Sequence, residues 1–150
     1  MSSRASWGCR PYARPNWPAD YYGLTIGNNA GFSVGGGVFN EAVKNGHIKL
    51  IESKGTPRSL LKLIEGTVDC YINDVVSIQW ELKKLEKEGR YNGTNLKKSA
   101  TISLDYGYLG FSTNGSRYPF KNDFKKQYLT ILETMKANGE IDAIVKRFLE

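Results

Sequence analysis

"LLKLIEGTVDCYINDVVSIQWELKKLEKEG", residues Leu60 to Gly89, sets a helix with an apolar face, a glycine stop, a β-rich run and a second amphipathic helix in direct succession. Leu60, Leu61 and Ile64 share one face of the first helix, and Gly66 ends it. Val68 to Asn73 then reads as a strand with Asp74 at its carboxyl end. Val75, Ile78, Leu82 and Leu85 recur at helical spacing until Gly89 stops the run. Working back from this stretch, Thr56 and Pro57 read as a helix start, with threonine as N-cap and proline at the first helical position, where its missing N–H costs nothing. Before it come a strand at Ile48 to Ser53, a short helix at Val38 to Gly46 with Phe39, Ala42 and Val43 on one face, and a strand at Leu24 to Asn28. This alternation implies βαβ units, hence an α/β fold with a parallel or mixed sheet flanked by helices.

Both ends of the chain depart from that rhythm. Three of the five prolines, Pro11, Pro15 and Pro18, fall in the first twenty residues, which therefore read as an extended, irregular lead. Ser99 to Thr113 is β-rich but too long for one strand of a small sheet, and reads as a crossing connection. Beyond it, Asn122 can cap a helix with Phe124, Tyr128, Ile131 and Met135 inward, and a last helix places Ile141, Ile144, Val145 and Phe148 on one face.

Bulk properties narrow the function. The 150 residues suit one ordinary domain, and 40% hydrophobic with 24% charged residues is a soluble, globular balance. The formal charge of +6 raises nucleic acid as a partner. The lysines alternate with glutamates, however, as in "ELKKLEKEGR" (Glu81 to Arg90), which is the pattern of a solvated face, so no nucleic-acid partner is expected. No apolar run reaches the roughly 18 residues a membrane span needs, and the first twenty residues lack the apolar core of a secretory signal. Two cysteines, Cys9 and Cys70, do not make a disulfide framework, and Cys70 in a strand reads as a small buried hydrophobe.

The turn "AGFSVGGGVF" (Ala30 to Phe39) is the first candidate site. A P-loop would need a lysine after its last glycine; Gly31 and Gly36 have the spacing, but Gly37 and Val38 follow. The dinucleotide fingerprint fails too, because Asn40 stands where its third glycine belongs. What remains is a strand end, a flexible turn and a helix start whose N–H groups suit an anion such as a carboxylate, or a turn that only bends the chain. Asp74 is the second candidate. At the carboxyl end of its strand it either caps the next helix or offers a carboxylate on the same sheet edge, and an anion-accepting turn beside a carboxylate suits a zwitterion. Catalysis has little support: "GFSVG" (Gly31 to Gly35) matches the letters of a serine nucleophile elbow, but the only histidine, His47, precedes a strand and comes too early for a triad. No Cys/His spacing suits a metal, and no cofactor is expected.

Together "GLTIGNNAGFSVGGGVFNEAV", "LLKLIEGTVDCYINDV", "YLGFSTNGSRYPFKNDF" and "MKANGEIDAIVKRFLE" resemble, in order, the second half of the family 3 extracellular solute-binding proteins. These are the polar amino-acid receptors of ABC importers, with the type II periplasmic-binding fold. Their two α/β lobes close on an amino acid like a clamp. The resemblance implies an irregular lead and hinge over residues 1–21, the second lobe over 22–106, and a return segment of the first lobe, with the C-terminal helices, over 107–150. It implies a non-catalytic binding role in uptake, with a small polar amino acid as ligand, a membrane permease as partner and a periplasmic location. Gly31, Phe32 and Ser33 match the turn that meets the ligand carboxylate, Asp74 the acid that pairs with its ammonium, and Asn29 and Asn73 flanking positions that touch ligand side chains. Phe32 stands where threonine is frequent, which replaces a hydroxyl by an aromatic wall. Most of the first lobe, including its carboxylate-binding arginine, has no counterpart in this sequence. The same lobes also serve as sensor modules of signalling proteins and beside lytic transglycosylase domains.

Overall fold

The computed structural model describes residues 2–9, 14–93, 96–112 and 118–150. Pro11 of the lead and residues 113–117 of the return segment lie outside them. Five strands, β1 (Ser2–Trp7), β2 (Thr25–Asn29), β3 (Lys49–Ser53), β4 (Cys70–Asp74) and β5 (Lys98–Asp105), form one mixed sheet in the order β3-β2-β4-β1-β5. The strands β2, β3 and β4 run parallel, as their helical crossovers require, and β1 lies antiparallel between β4 and β5. The helices are α1 (Gly36–Lys44), α2 (Gly55–Ile64), α3 (Val75–Lys87), α4 (Lys121–Ala137) and α5 (Glu140–Leu149).

Side chains alternate across β4, and the two faces carry different cores. Tyr71 packs with Trp7, Leu60, Leu63, Ile78 and Leu85 beneath α2 and α3. Cys70 and Ile72 pack on the other face with Tyr21, Ile26, Phe39 and Ile48. Trp17 seals that second core, stacked on Phe39 at 5.0 Å and edge-on to Tyr21 at 4.7 Å. A strand buried on both faces reads as a near-continuous apolar run, as the β4 sequence does.

The chain divides into two compact units, Met1–Tyr106 and Gly107–Glu150. The second holds α4 and α5, in neither of which any residue is buried. Phe124, Ile131, Ile144 and Phe148 are all exposed, while Tyr128 and Met135 are half-buried, so among the described residues the inward face expected for α4 is only partly covered within its own unit.

Several expectations are corrected. The lead read as irregular contains β1, held by backbone ladders to both β4 and β5. The stretch read only as a crossing connection begins with β5, an edge strand of eight residues. Cys70 is fully buried but is not a free hydrophobe: it forms a disulfide with Cys9, across 61 residues of chain. Strand β1 brings Cys9 there, because the β1–β4 register pairs Trp7 with Tyr71 and the chain leaves β1 beside Cys70. The helix α2 starts at Gly55 with Lys54 as N-cap, so Thr56 lies inside its first turn. Likewise Asn122 lies within α4, whose N-cap is Phe120.

Candidate binding site at the carboxyl edge of the sheet

The parallel strands β2, β3 and β4 all end at one edge, where α1, α2 and α3 begin. Ligands in open α/β sheets bind at such an edge, where loops are unconstrained by the ladder and helix N-termini converge. After β2 the chain turns sharply, with the Phe32 N–H donating to the Asn29 carbonyl at 3.0 Å. Gly31 takes φ 80° at the third position of this turn, the backbone a type II turn demands and side-chain-bearing residues resist. The Asn28 amide donates to the Phe32 carbonyl at 2.7 Å and pins the turn from inside. Gly31, Phe32 and Ser33 are left exposed, with Phe32 at 52%.

Gly35 closes the segment. It is the N-cap of α1 at φ 75°, and a Cβ there would lie 2.6 Å from the Trp17 ring and 2.7 Å from Phe39. The Trp17 indole N–H donates to its carbonyl at 3.1 Å.

Asp74 stands across the edge at the end of β4. Its Oδ1 accepts from the Ser77 backbone N–H at 2.9 Å and from the Ser77 hydroxyl at 3.2 Å, so it caps α3. The cap engages Oδ1 and holds the charge at a helix start where it is stabilised. The β2–β4 register pairs Ile26 with Cys70 and Gly27 with Tyr71. Continued by two residues, it sets Asn29 beside Asn73, about 4.8 Å apart.

Beneath this rim lies a polar network that sequence reasoning missed. Asn29 Oδ1 accepts from the Tyr71 hydroxyl at 2.8 Å and from the Ser59 hydroxyl at 3.0 Å. Asn73 donates to Tyr71 at 2.8 Å and to Thr56 at 3.1 Å, while Asn29 donates to Thr56 at 3.3 Å. The consequence differs for the two asparagines. Asn29 has both carbonyl lone pairs engaged and is turned into the protein, whereas Asn73 spends both N–H groups inward and keeps its carbonyl as acceptor capacity. Burial raises the Tyr71 pKa above the usual phenol value, with hydrogen bonds to Thr56, Asn73, Ser59 and Asn29 partly opposing it. The sequence did carry a signal for this network: two consecutive amides end an otherwise apolar strand, and a buried amide must find partners.

The hydrolase reading finds no support in the topology. Ser33 follows the carboxyl end of β2 and His47 precedes the amino end of parallel β3, about 16 Å away along the strand direction. His47 instead stacks on Tyr22 at 4.7 Å. Among the described residues no three His, Cys, Asp or Glu side chains are grouped to hold a metal ion, and no helix is long and apolar enough to cross a membrane.

No family model and no curated protein matches the sequence. Solved structures do match the fold. Lactococcus lactis GlnP substrate binding domain 2, in its open conformation, superposes with a TM-score of 0.64 at 18% identity, covering 98% of this chain and 58% of that one. A mutant of ArgBP from T. maritima gives 0.60 at 18% identity over 98% of this chain and 57% of its own. An arginine transport-system periplasmic binding protein from Legionella pneumophila gives 0.58 at 18%, covering 98% and 61%. The chain therefore has the mixed α/β fold of amino-acid-binding periplasmic proteins, and spans less than two thirds of the length of these neighbours.

Proposed function

We propose that this carboxyl edge binds the zwitterionic end of a polar amino acid, without catalysis, as one half of a clamp that serves ABC-type uptake. The observation that carries this reading is the placement of the Gly31–Phe32–Ser33 turn and the Asp74 carboxylate on one sheet edge, above a network that fixes both strands. The turn offers backbone N–H groups and the Ser33 hydroxyl to the ligand carboxylate. Asp74 takes the ammonium, Phe32 covers the ligand with an aromatic face, and the Asn73 carbonyl reads a donor on the ligand side chain. Asn29 acts one layer below, by holding Tyr71 and Thr56 in place.

Residues 22–106 form the second lobe in this reading, and 107–150 the segment that returns to the first. The neighbours' extra length and the exposed apolar residues of α4 and α5 both favour a truncated clamp whose other lobe is supplied from outside these residues. One lobe alone leaves a ligand half exposed, so autonomous affinity is expected to be weak. A membrane permease is the partner this role implies. The Cys9–Cys70 disulfide suits the oxidising compartment in which such receptors work.

Calorimetric titration with arginine, glutamine and other polar amino acids tests the reading. The expected result is weak heat that Asp74→Asn abolishes. Equal binding by that variant would remove Asp74 from the site, and no heat or thermal shift with any amino acid would end the case for autonomous binding.

A further inference from the structure

Four Asn-Gly dipeptides occur in the chain: Asn45 with Gly46, Asn92 with Gly93, Asn114 with Gly115 and Asn138 with Gly139. Such a pair can cyclise when the glycine nitrogen attacks the asparagine side-chain carbonyl, since a glycine has no Cβ to crowd the approach. The fold decides which pairs do so, because the nitrogen has to be released from any hydrogen bond and brought against the side chain. Asn114 lies outside the described residues.

Two of the other pairs are held at helix ends. Asn45 and Asn138 are the C-caps of α1 and α4, with ψ of 2° and 1°. The Gly46 N–H donates to the Val43 carbonyl at 3.0 Å, and the Gly139 N–H to the Lys136 carbonyl at 3.4 Å. The Asn138 side-chain oxygen also accepts from the Glu140 N–H at 3.0 Å. Attack at either site requires the last turn of a helix to open first.

Asn92 and Gly93 are placed differently. They lie between α3 and β5, in neither a helix nor a strand, and both are exposed. Among the described residues the Gly93 N–H reaches no backbone carbonyl. Glycine is moreover required there: its φ is 77°, and a Cβ would lie 2.9 Å from Glu86 Oε1. The fold thus demands, next to Asn92, the one residue that leaves the attacking nitrogen unhindered.

We infer that Asn92 is a site of spontaneous deamidation in the folded chain. The Gly93 nitrogen bonds to Asn92 Cγ, the Cγ–Nδ2 bond breaks, and ammonia leaves with the Gly93 amide proton. Water then opens the cyclic imide at either carbonyl and gives aspartate or isoaspartate. Each event lowers the formal charge of +6 by one. It adds a carboxylate to the lining of a cleft of about 760 Å³ that Asp69 and Arg90 also line. The isoaspartate product further inserts a methylene into the main chain joining α3 to β5. The amino-acid edge is remote, because the thirteen residues of α3 carry the chain about 20 Å from Asp74 to this loop.

The test is incubation of the full chain at mildly alkaline pH, with each asparagine followed by peptide mass mapping and isoaspartate labelled by a methyltransferase specific for it. In the folded protein Asn92 should convert roughly tenfold faster than Asn45 and Asn138, or more. In urea the three rates should converge, because the helix ends that protect the other two are gone. Conversion of Asn45 or Asn138 as fast as Asn92 in the folded protein would overturn the site. So would an Asn92 that stays intact in the fold and reacts only in urea. Amino-acid titrations do not depend on either outcome, so the two readings fail independently.

Discussion

Replacing Cys9 and Cys70 together by alanine removes the one covalent tie between the start of the chain and β4. The closed loop spans 61 residues. The chain-entropy relation assigns a loop of that size about 4 kcal/mol, and native disulfides of this kind typically contribute about 2–4. The staple holds β1 in register between β4 and β5, so its loss acts on strands that share the first unit's sheet. With a urea m-value of roughly 1–2 kcal/mol/M for a domain this size, the unfolding midpoint should fall by about 2 M. Both sulfurs are fully buried, so dithiothreitol should reach them only through opening, and native protein should lose the bond far more slowly than urea-unfolded protein. The assay is urea unfolding monitored by tryptophan fluorescence, with thiols counted after denaturation without reductant. Two titratable thiols in protein purified under oxidising conditions, or a double variant with an unshifted midpoint, would refute the reasoning.

The other predictions separate stability from binding. Gly35→Ala forces a Cβ within 2.6 Å of Trp17 in a left-handed backbone; it should cost upwards of about 2 kcal/mol in denaturant unfolding. Gly31→Ala meets open space and should cost only about 1 kcal/mol, the backbone term alone. Asp74→Asn retains a capping side chain and should shift stability by less than about 0.5 kcal/mol, while Asp74→Ala should lose about 1, with both abolishing the heat of amino-acid binding. The Tyr71 phenol is raised in the folded state, so above the ordinary phenol range the unfolded chain releases this proton first. The stability that Tyr71 contributes is therefore complete below pH 10 and lost as pH rises toward its folded pKa. Denaturation midpoints between pH 8 and pH 11.5 should show a steeper alkaline fall in the wild type than in Tyr71→Phe.

What the sequence disclosed, and what it withheld, divides by the range of the interaction. Strands β2, β3 and β4 and the helices between them were legible because apolar spacing and glycine stops are local signals, and βαβ connectivity then dictates which edge their loops share. Strand β1 was not legible: its pairing depends on β4 and β5, respectively about 70 and 100 residues away in the chain, and nearby prolines made the segment look like a linker. The disulfide was hidden by the same omission, since only β1 carries Cys9 to Cys70.

The polar network shows why residue type foretold the edge better than the roles along it. Asn29 and Asn73 look equivalent in sequence, both being asparagines near the end of a parallel strand. Their difference arises from Ser59 and Tyr71, which together saturate the carbonyl of Asn29 and leave that of Asn73 out of their reach. Thr56 could not cap α2 and also serve this network, because its hydroxyl is already the shared acceptor of both amides. That shared bond also makes the arrangement testable: Thr56→Val deprives two buried amides of one acceptor at once, which should cost about 1–3 kcal/mol. It should also release Asn73, and so weaken amino-acid binding without touching the Gly31 turn or Asp74. A variant as stable as wild type with unchanged affinity would mean that the network is packing alone and has no part in holding the rim.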